Sequence, residues 1–408
     1  MKTAQVRSDF SRTTHFVIKR FILFIFYRKK QQKSKMADNF TDNEPIALPY
    51  KMVSHEIQKH MLGWNIPAEH QHLVHEHWRQ FPDVDKSSHY LLALIYTILT
   101  ISSVTGNGLV IWIFSTSKSL RTPSNMFVIN LAIFDLAMMG EMPHLIMNSF
   151  YQRMLGYELG CDIYAVLGSL SGIGGSITNA VIAYDRYKTI SSPIDGRINR
   201  AQATLLVICT WLYALPFTVF PLTKTWGRFV TEGFLTTCSF DFLSDDIKTF
   251  VLCIAIWSYV IPMSLICTFY LKLFGAVRHH ERMLKEQAKK MNVKSLASNK
   301  EDAGKSVEIR IAKVAFTIFF LFICSWTPYG IVAMIGAFGD RSLLTPVVTM
   351  IPAVFCKAVS CLDPWVYAIN HPRFRVELEK RVPWMGVREP DPDAQSSTGS
   401  AVTNSADA

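Results

Sequence analysis

Five stretches of this chain run for the ~20 residues an α-helix needs to cross a bilayer without one Asp, Glu, Lys or Arg. They are residues 87–117, 163–184, 201–223, 249–271 and 314–339. Two further apolar stretches are interrupted by ionisable side chains. Residues 124–150 contain Asp135, Glu141 and His144; residues 342–362 contain a single charge, Lys357, with Asp363 immediately after them. The pattern predicts an all-α membrane protein, a seven-transmembrane helix bundle spanning residues 87–371.

The basic residues between the spans set its orientation. Lys118 and Arg121 follow the first span, Arg186, Lys188, Arg197 and Arg200 the third, and a long series from Lys272 to Lys313 the fifth. The alternate connections are thinner, with Arg153, Lys224, Arg228, Lys248 and Arg341. The excess marks the cytoplasmic side, so the C-terminus is expected inside and residues 36–86 outside. A sequon at Asn39 agrees as an outer glycosylation site. After the last span, Phe374, Leu378 and Val382 recur every four residues among Arg373, Arg375, Lys380 and Arg381. Residues 372–388 therefore read as a short amphipathic helix on the inner membrane surface. Residues 389–408 are rich in Ser, Thr, Ala, Asp and Pro and read as disordered. Their hydroxyls, Ser396, Ser397, Thr398, Ser400, Thr403 and Ser405, belong either to a solvating tail or to a phosphorylated shut-off tail.

Composition supports the membrane reading, since half of the 408 residues are apolar. The net charge of +10 could point to nucleic acid, but residues 1–35 alone hold ten Lys or Arg against Asp9. The basic balance belongs to this leader, and no nucleic-acid partner is expected. Within the leader, residues 16–27 are too short and, with Lys19 and Arg20, too charged to span, and they lack a signal-cleavage pattern. So basic a stretch also resists translocation. We expect translation to begin at Met36, leaving residues 1–35 as an upstream extension; an amphipathic anchor is the alternative.

Lys357 is the energetic anomaly. A lone Lys deep in a span costs about 3 kcal/mol even on lenient scales. It lies fifteen residues after Ser342 and six before Asp363, far for a side chain that merely snorkels. Burial favours the neutral amine, a nucleophile toward aldehydes. Cys161 opens the third span, about 37 Å of helix from Arg186 at the other end. Cys161 and Cys238 thus share an oxidising side, where a disulfide is expected. Cys209, Cys253, Cys267, Cys324, Cys356 and Cys361 fall within spans and read as small buried apolar residues.

Several motifs occur in one order: Asn107, Asp135 in Asn130-Leu131-Ala132-Ile133-Phe134-Asp135, Asp185-Arg186-Tyr187, Trp211, Pro262, Ser325-Trp326-Thr327-Pro328 and Pro364-Trp365-Val366-Tyr367. Over roughly residues 86–385 the chain resembles the rhodopsin-type receptors, with Asp363 where most members have Asn. Lys357, seven residues before Pro364, matches the opsin retinal lysine, and Cys356, Ala358, Trp326 and Tyr329 match opsins too. The resemblance implies a protonated Schiff base between Lys357 and 11-cis retinal or a 3-hydroxy derivative. Vertebrate pigments place a counterion where this chain has Tyr164; Glu232, six residues before Cys238, matches the invertebrate counterion, although it could be an exposed loop acid. Gly168 stands where amine receptors carry an acid, which argues against that class. No metal and no enzymatic activity are implied.

The cytoplasmic residues resemble a narrower group. Glu286-Gln287-Ala288-Lys289-Lys290-Met291-Asn292-Val293 is similar to the third loop of arthropod visual opsins. His371-Pro372-Arg373 is similar to the tripeptide that accompanies coupling to Gq and phospholipase C, with Asp185, Arg186 and Tyr187 as the other coupling residues. Glu141 stands where insect ultraviolet opsins carry Lys, and a carboxylate there favours the protonated, longer-absorbing form. With Asp185 to Ile190 and Asp195-Gly196-Arg197, this resembles the short-wavelength, blue-sensitive insect group. The family further implies a rhabdomeral plasma membrane, arrestin and a receptor kinase, and a switch in which Trp326 and Pro328 pivot and Arg186 leaves Asp185. A retinal photoisomerase or a non-visual opsin is the alternative.

Overall fold

The computed structural model describes residues 60–192, 196–290 and 300–388. Asn39, the leader and the C-terminal tail lie outside the described residues, as do Asp195 and residues 291–293 of the third-loop motif.

Among the described residues, seven helical spans build the bundle. They are α1 (Lys86–Thr116), the pair α2 (Asn125–Gly140) and α3 (Met142–Tyr151), α4 (Tyr157–Ser191), α5 (Arg200–Leu222), the pair α6 (Lys248–Ala255) and α7 (Ile261–Lys290), α8 (Lys300–Phe338) and α9 (Pro346–Asn370). A short helix, α10 (Pro372–Arg381), follows. The second span breaks at Glu141 because Pro143, just inside α3, has no N–H to give the preceding turn. In the fifth span Pro262 has the same effect, and a π turn over Ile256–Val260 takes up the mismatch. Some helix starts are written locally. Asn199 and Gln202 form a reciprocal capping box at α5. The His371 ring accepts the Phe374 N–H ahead of Pro372 at α10.

Polar side chains lock the spans together. Asn107 and Ser103 on α1 both donate to the Ser360 carbonyl of α9, at 2.8 and 2.9 Å. Asn130 on α2 donates to Thr178 and Thr210 and accepts the Trp211 indole N–H at 2.9 Å. Such bonds between helices fix register where apolar packing alone does not. Leu91, Leu94, Ile98 and Ile101 on α1 and Leu205, Ile208 and Leu212 on α5 face outward, as spans against lipid should. The thiols depart from expectation. Cys356 and Cys361 are buried, but Cys209, Cys267 and Cys324 lie on the outer face and Cys253 between. Lipid accepts a thiol as readily as the core does, so span position alone does not decide burial.

One end of the bundle is closed by a hairpin, β1 (Phe229–Glu232) and β2 (Thr237–Phe240), with Thr231 opposite Cys238 and Glu232 opposite Thr237. Its tight turn uses Gly233 and Leu235 at positive φ. A disulfide joins Cys238 to Cys161 at the head of α4. Residues 60–85 pack over the hairpin. Trp78 is 0% exposed among Leu62, Leu235, Phe242, Val332 and Leu344. Thr231 donates to the Leu73 carbonyl at 2.8 Å, and the His77 ring meets the Leu344 carbonyl at 2.7 Å. Arg228 bridges Asp241 and Asp246, and Arg341 reaches Asp245 at 2.7 Å. At the opposite end α10 tucks Phe374 and Leu378 inward, while Arg381 lies over the Trp112 ring. The helix stops at Arg381, earlier than the expected 372–388, with a further turn over Pro383–Met385.

Candidate functional site

Lys357 sits midway along α9 and is 8% exposed. Its ammonium lies 3.3 Å from a carboxylate oxygen of Glu141 and 5.3 Å from the centre of the Tyr164 ring. The break between α2 and α3 places Glu141 there, and Gly168 of α4 makes the room: a Cβ on it would come within 2.8 Å of the Glu141 carboxylate. One turn on, a Cβ on Gly172 would meet the Trp326 ring at 2.5 Å. Two glycines on one face of α4 thus admit the carboxylate and the indole side by side.

The Lys357 nitrogen opens on a cavity of about 700 Å³. Tyr164, Gly168, Trp326, Tyr329, Phe229 and Glu232 contribute to its wall. The lining is overwhelmingly apolar, with Lys357, Glu141 and Glu232 as its ionisable carboxyl and amine groups. On one flank it runs between α6 and α8, past Leu252, Ile256 and Ile331, which also show on the outer face. Glu232 comes from the hairpin, not from a helix. Both its oxygens accept from the Tyr329 hydroxyl, at 3.0 and 3.2 Å. Burial raises the Glu232 carboxyl above the ordinary carboxylate range, while Ser239, Lys357 and Tyr329 oppose the shift. The direct contact with Lys357 falls on Glu141, whereas the sequence expectation assigned the counterion to Glu232 and a tuning role to Glu141.

The residues expected to couple to a G protein gather at the other end of α4. Arg186 pairs with Asp185 at 2.8 Å, both buried, and Ser124 donates to the same carboxylate. Tyr187 stacks on Phe269, with the Lys272 ammonium 5.8 Å above its ring. His371 is buried and held down to about pKa 3, by burial first and then by the charges of Arg186, Arg373 and Arg310. His371, Pro372 and Arg373 therefore adjoin the Arg186 end of the bundle. Sequence reasoning passed over Tyr96, buried against Met350, and Gly172. The run of small residues at Gly168, Gly172 and Gly175 was the signal available for the latter.

Among the described residues, the apolar cavity is lined by one amine, Lys357, which is buried and paired with a carboxylate, and such an amine condenses with aldehydes. The profile of the seven-transmembrane receptors of the rhodopsin family matches residues 106–367, and the chain belongs to that family. It is 73% identical to Opsin-3 of Manduca sexta over 374 residues, 90% of this chain and 97% of that protein. It is 62% identical to the blue-sensitive opsin of Apis mellifera, over 82% of this chain and 89% of the bee protein. The crystal structure of squid rhodopsin superposes with a TM-score of 0.74 at 32% identity, covering 80% of this chain and 94% of the squid chain. Within the family it is an arthropod visual opsin: a multi-pass membrane receptor and not an enzyme, with a retinal chromophore and a heterotrimeric G-protein partner.

Proposed function

We propose that the protein is a blue-absorbing, light-activated receptor that carries 11-cis retinal, or its 3-hydroxy derivative, on Lys357 and signals through Gq to phospholipase C. The observation that carries this reading is the placement of Lys357. Among the described residues its nitrogen is the one buried amine on the cavity wall, and it lies against a carboxylate. When bound, retinal supplies an aldehyde that condenses with this amine and a polyene that changes shape on absorbing a photon.

The protein's own residues supply the rest. Glu141 and Glu232 place negative charge around the Lys357 nitrogen and favour its protonated form. The hairpin, held by its disulfide and by the Arg228 ion pairs, keeps water from that charge. Trp326 stands against α4 at Gly172, two residues before Pro328, so a push on its indole acts where α8 lacks a backbone hydrogen bond. Differential contact of this kind is what shifts a two-state equilibrium. At the far end Arg186 then exchanges Asp185 for the G protein, with His371, Pro372 and Arg373 beside it. Glu141 supports the blue assignment, as does similarity to the bee pigment. The basic connections support an outward N-terminus in a rhabdomeral membrane, and the Ser- and Thr-rich tail supports shut-off by a kinase and arrestin.

Regeneration of the purified protein with 11-cis retinal, followed by light-triggered nucleotide exchange on Gq, tests the reading. A blue absorption band and light-dependent exchange are expected, both lost in Lys357→Ala. A pigment that still forms in Lys357→Ala overturns the assignment.

A further inference from the structure

A group of hydroxyls stands on the cavity wall away from Lys357. Ser258 and Tyr259 belong to the π turn and Thr327 to α8, and all three line the cavity. The π turn packs on α4 and between α6 and α7, whereas α9, which carries Lys357, packs on α1, α2 and α8. The cavity therefore has its amine on one side and these hydroxyls on another. Each hydroxyl has one proton and two lone pairs, and here the protons are already spent. Thr327 Oγ1 donates to the Ile323 carbonyl at 2.7 Å. The Tyr259 hydroxyl, 2.5 Å from Thr327 Oγ1, is then the donor of that pair. Ser258 Oγ donates to the Ile254 carbonyl at 2.7 Å. What the Ser258 and Tyr259 oxygens keep for the cavity is lone pairs, and the Ile254, Ile256 and Phe322 side chains on the same wall have no proton to give them.

We infer that Ser258 and Tyr259 form an acceptor site for a hydroxyl at the ring end of the chromophore, so that the protein selects 3-hydroxyretinal over unsubstituted retinal. The inference rests on the retinal reading of Lys357 and chooses between the two chromophores that reading leaves open. A polyene joined at Lys357 carries its ring to the other side of the cavity, where a ring hydroxyl gives the one thing this wall lacks, a proton. A bare hydrocarbon ring leaves both oxygens facing carbon. Sites built to bond a ligand hydroxyl reject the analogue without it because their own polar groups are left unpaired. Ser258 and Tyr259 each keep one bond in either case, so the preference is that of a single added hydrogen bond, about tenfold. Ser169 also lines the cavity but turns its hydroxyl toward Thr218 of α5 at 3.3 Å.

The test is a competition. The full chain, in limiting amount, is incubated in the dark with equal concentrations of 11-cis retinal and 11-cis 3-hydroxyretinal, and the bound chromophore is extracted and separated by chromatography. Both aldehydes compete for the same molecules, so misfolded protein lowers the yield and leaves the ratio alone. Wild type is expected to hold the hydroxylated form in about tenfold excess. Ser258→Ala and Tyr259→Phe should each lower that ratio, and the double variant should bring it to about one; Ser258→Ala serves alone if Tyr259→Phe does not regenerate. In a second competition 11-cis 3-methoxyretinal, which keeps the oxygen but has no proton to give, should hold no advantage over retinal. An equal ratio in wild type, a wild-type ratio in Ser258→Ala and the double variant, or a methoxy form held as well as the hydroxylated one overturns the acceptor site. Failure of wild type to form pigment with either aldehyde overturns the reading of Lys357, and the preference with it.

Discussion

The Tyr329 hydroxyl donates to Glu232 from 97 residues away in sequence, at 3.0 Å from one oxygen and 3.2 Å from the other. This bond ties the hairpin to α8, the helix that carries Trp326 and Pro328. Tyr329→Phe removes the donor and leaves a buried carboxyl short of a partner, at a cost of about 1–3 kcal/mol. Faster thermal decay of the regenerated pigment is expected, with the visible band retained. Decay at the wild-type rate would show that the bond does not hold the hairpin down.

Removing Lys357 strands Glu141 in the apolar interior. Taking one partner from a buried pair costs about 3–5 kcal/mol, chiefly through the charge left behind. Lys357→Ala should therefore melt at a lower temperature than wild type when both are measured without chromophore. Lys357→Ala combined with Glu141→Gln should recover most of that loss, and a double-mutant cycle on the melting curves reads the coupling.

Gly172 has no space for a methyl group. Its Cβ would stand 2.5 Å from the Trp326 ring, so Gly172→Ala forces the indole or the helix to shift. Overpacking of this kind costs about 1–3 kcal/mol. The displaced indole should also move the absorption maximum. An unchanged spectrum and melting point would mean that the ring gives way freely.

His371 gives the protein an acid limit. Its imidazole is held down to about 3 in the fold, far below the ordinary value near 6.5. Below about pH 6.5 the unfolded chain binds this proton and the folded one does not, so stability falls as pH drops toward 3 and is flat above the window. The slope approaches about 1.4 kcal/mol per pH unit for one group. His371→Asn retains an N-cap acceptor without the titration, and thermal melts across the window should show a shallower acid loss than wild type.

The spans were legible in the sequence because apolar runs free of charge are long and bilayer thickness is fixed. Lys357 was legible for the same reason turned around, as one charge inside such a run. The partner it touches was not. That depends on the break at Glu141, and Pro143 alone does not say whether a helix bends, breaks or continues. The depth at which Glu232 enters the cavity is likewise set by hairpin register, which local spacing does not encode. Residues 60–85 read as a plain outer segment because their apolar positions follow neither a helical nor a strand period. Their partners lie far along the chain, and only folding brings them together.

That distance sets an order of assembly. Residues 60–85 are synthesised before every element they cover, yet Leu73 meets Thr231 158 positions later and His77 meets Leu344 267 positions later. Contacts so distant form late in folding. The segment therefore has to wait, uncovered and with Trp78 exposed to whatever is nearby, until the chain has been made through Leu344 and the hairpin is in place. Damage at Trp78 or His77 should then be seen first as receptor held back in the secretory pathway, and only afterwards as a loss of sensitivity to light.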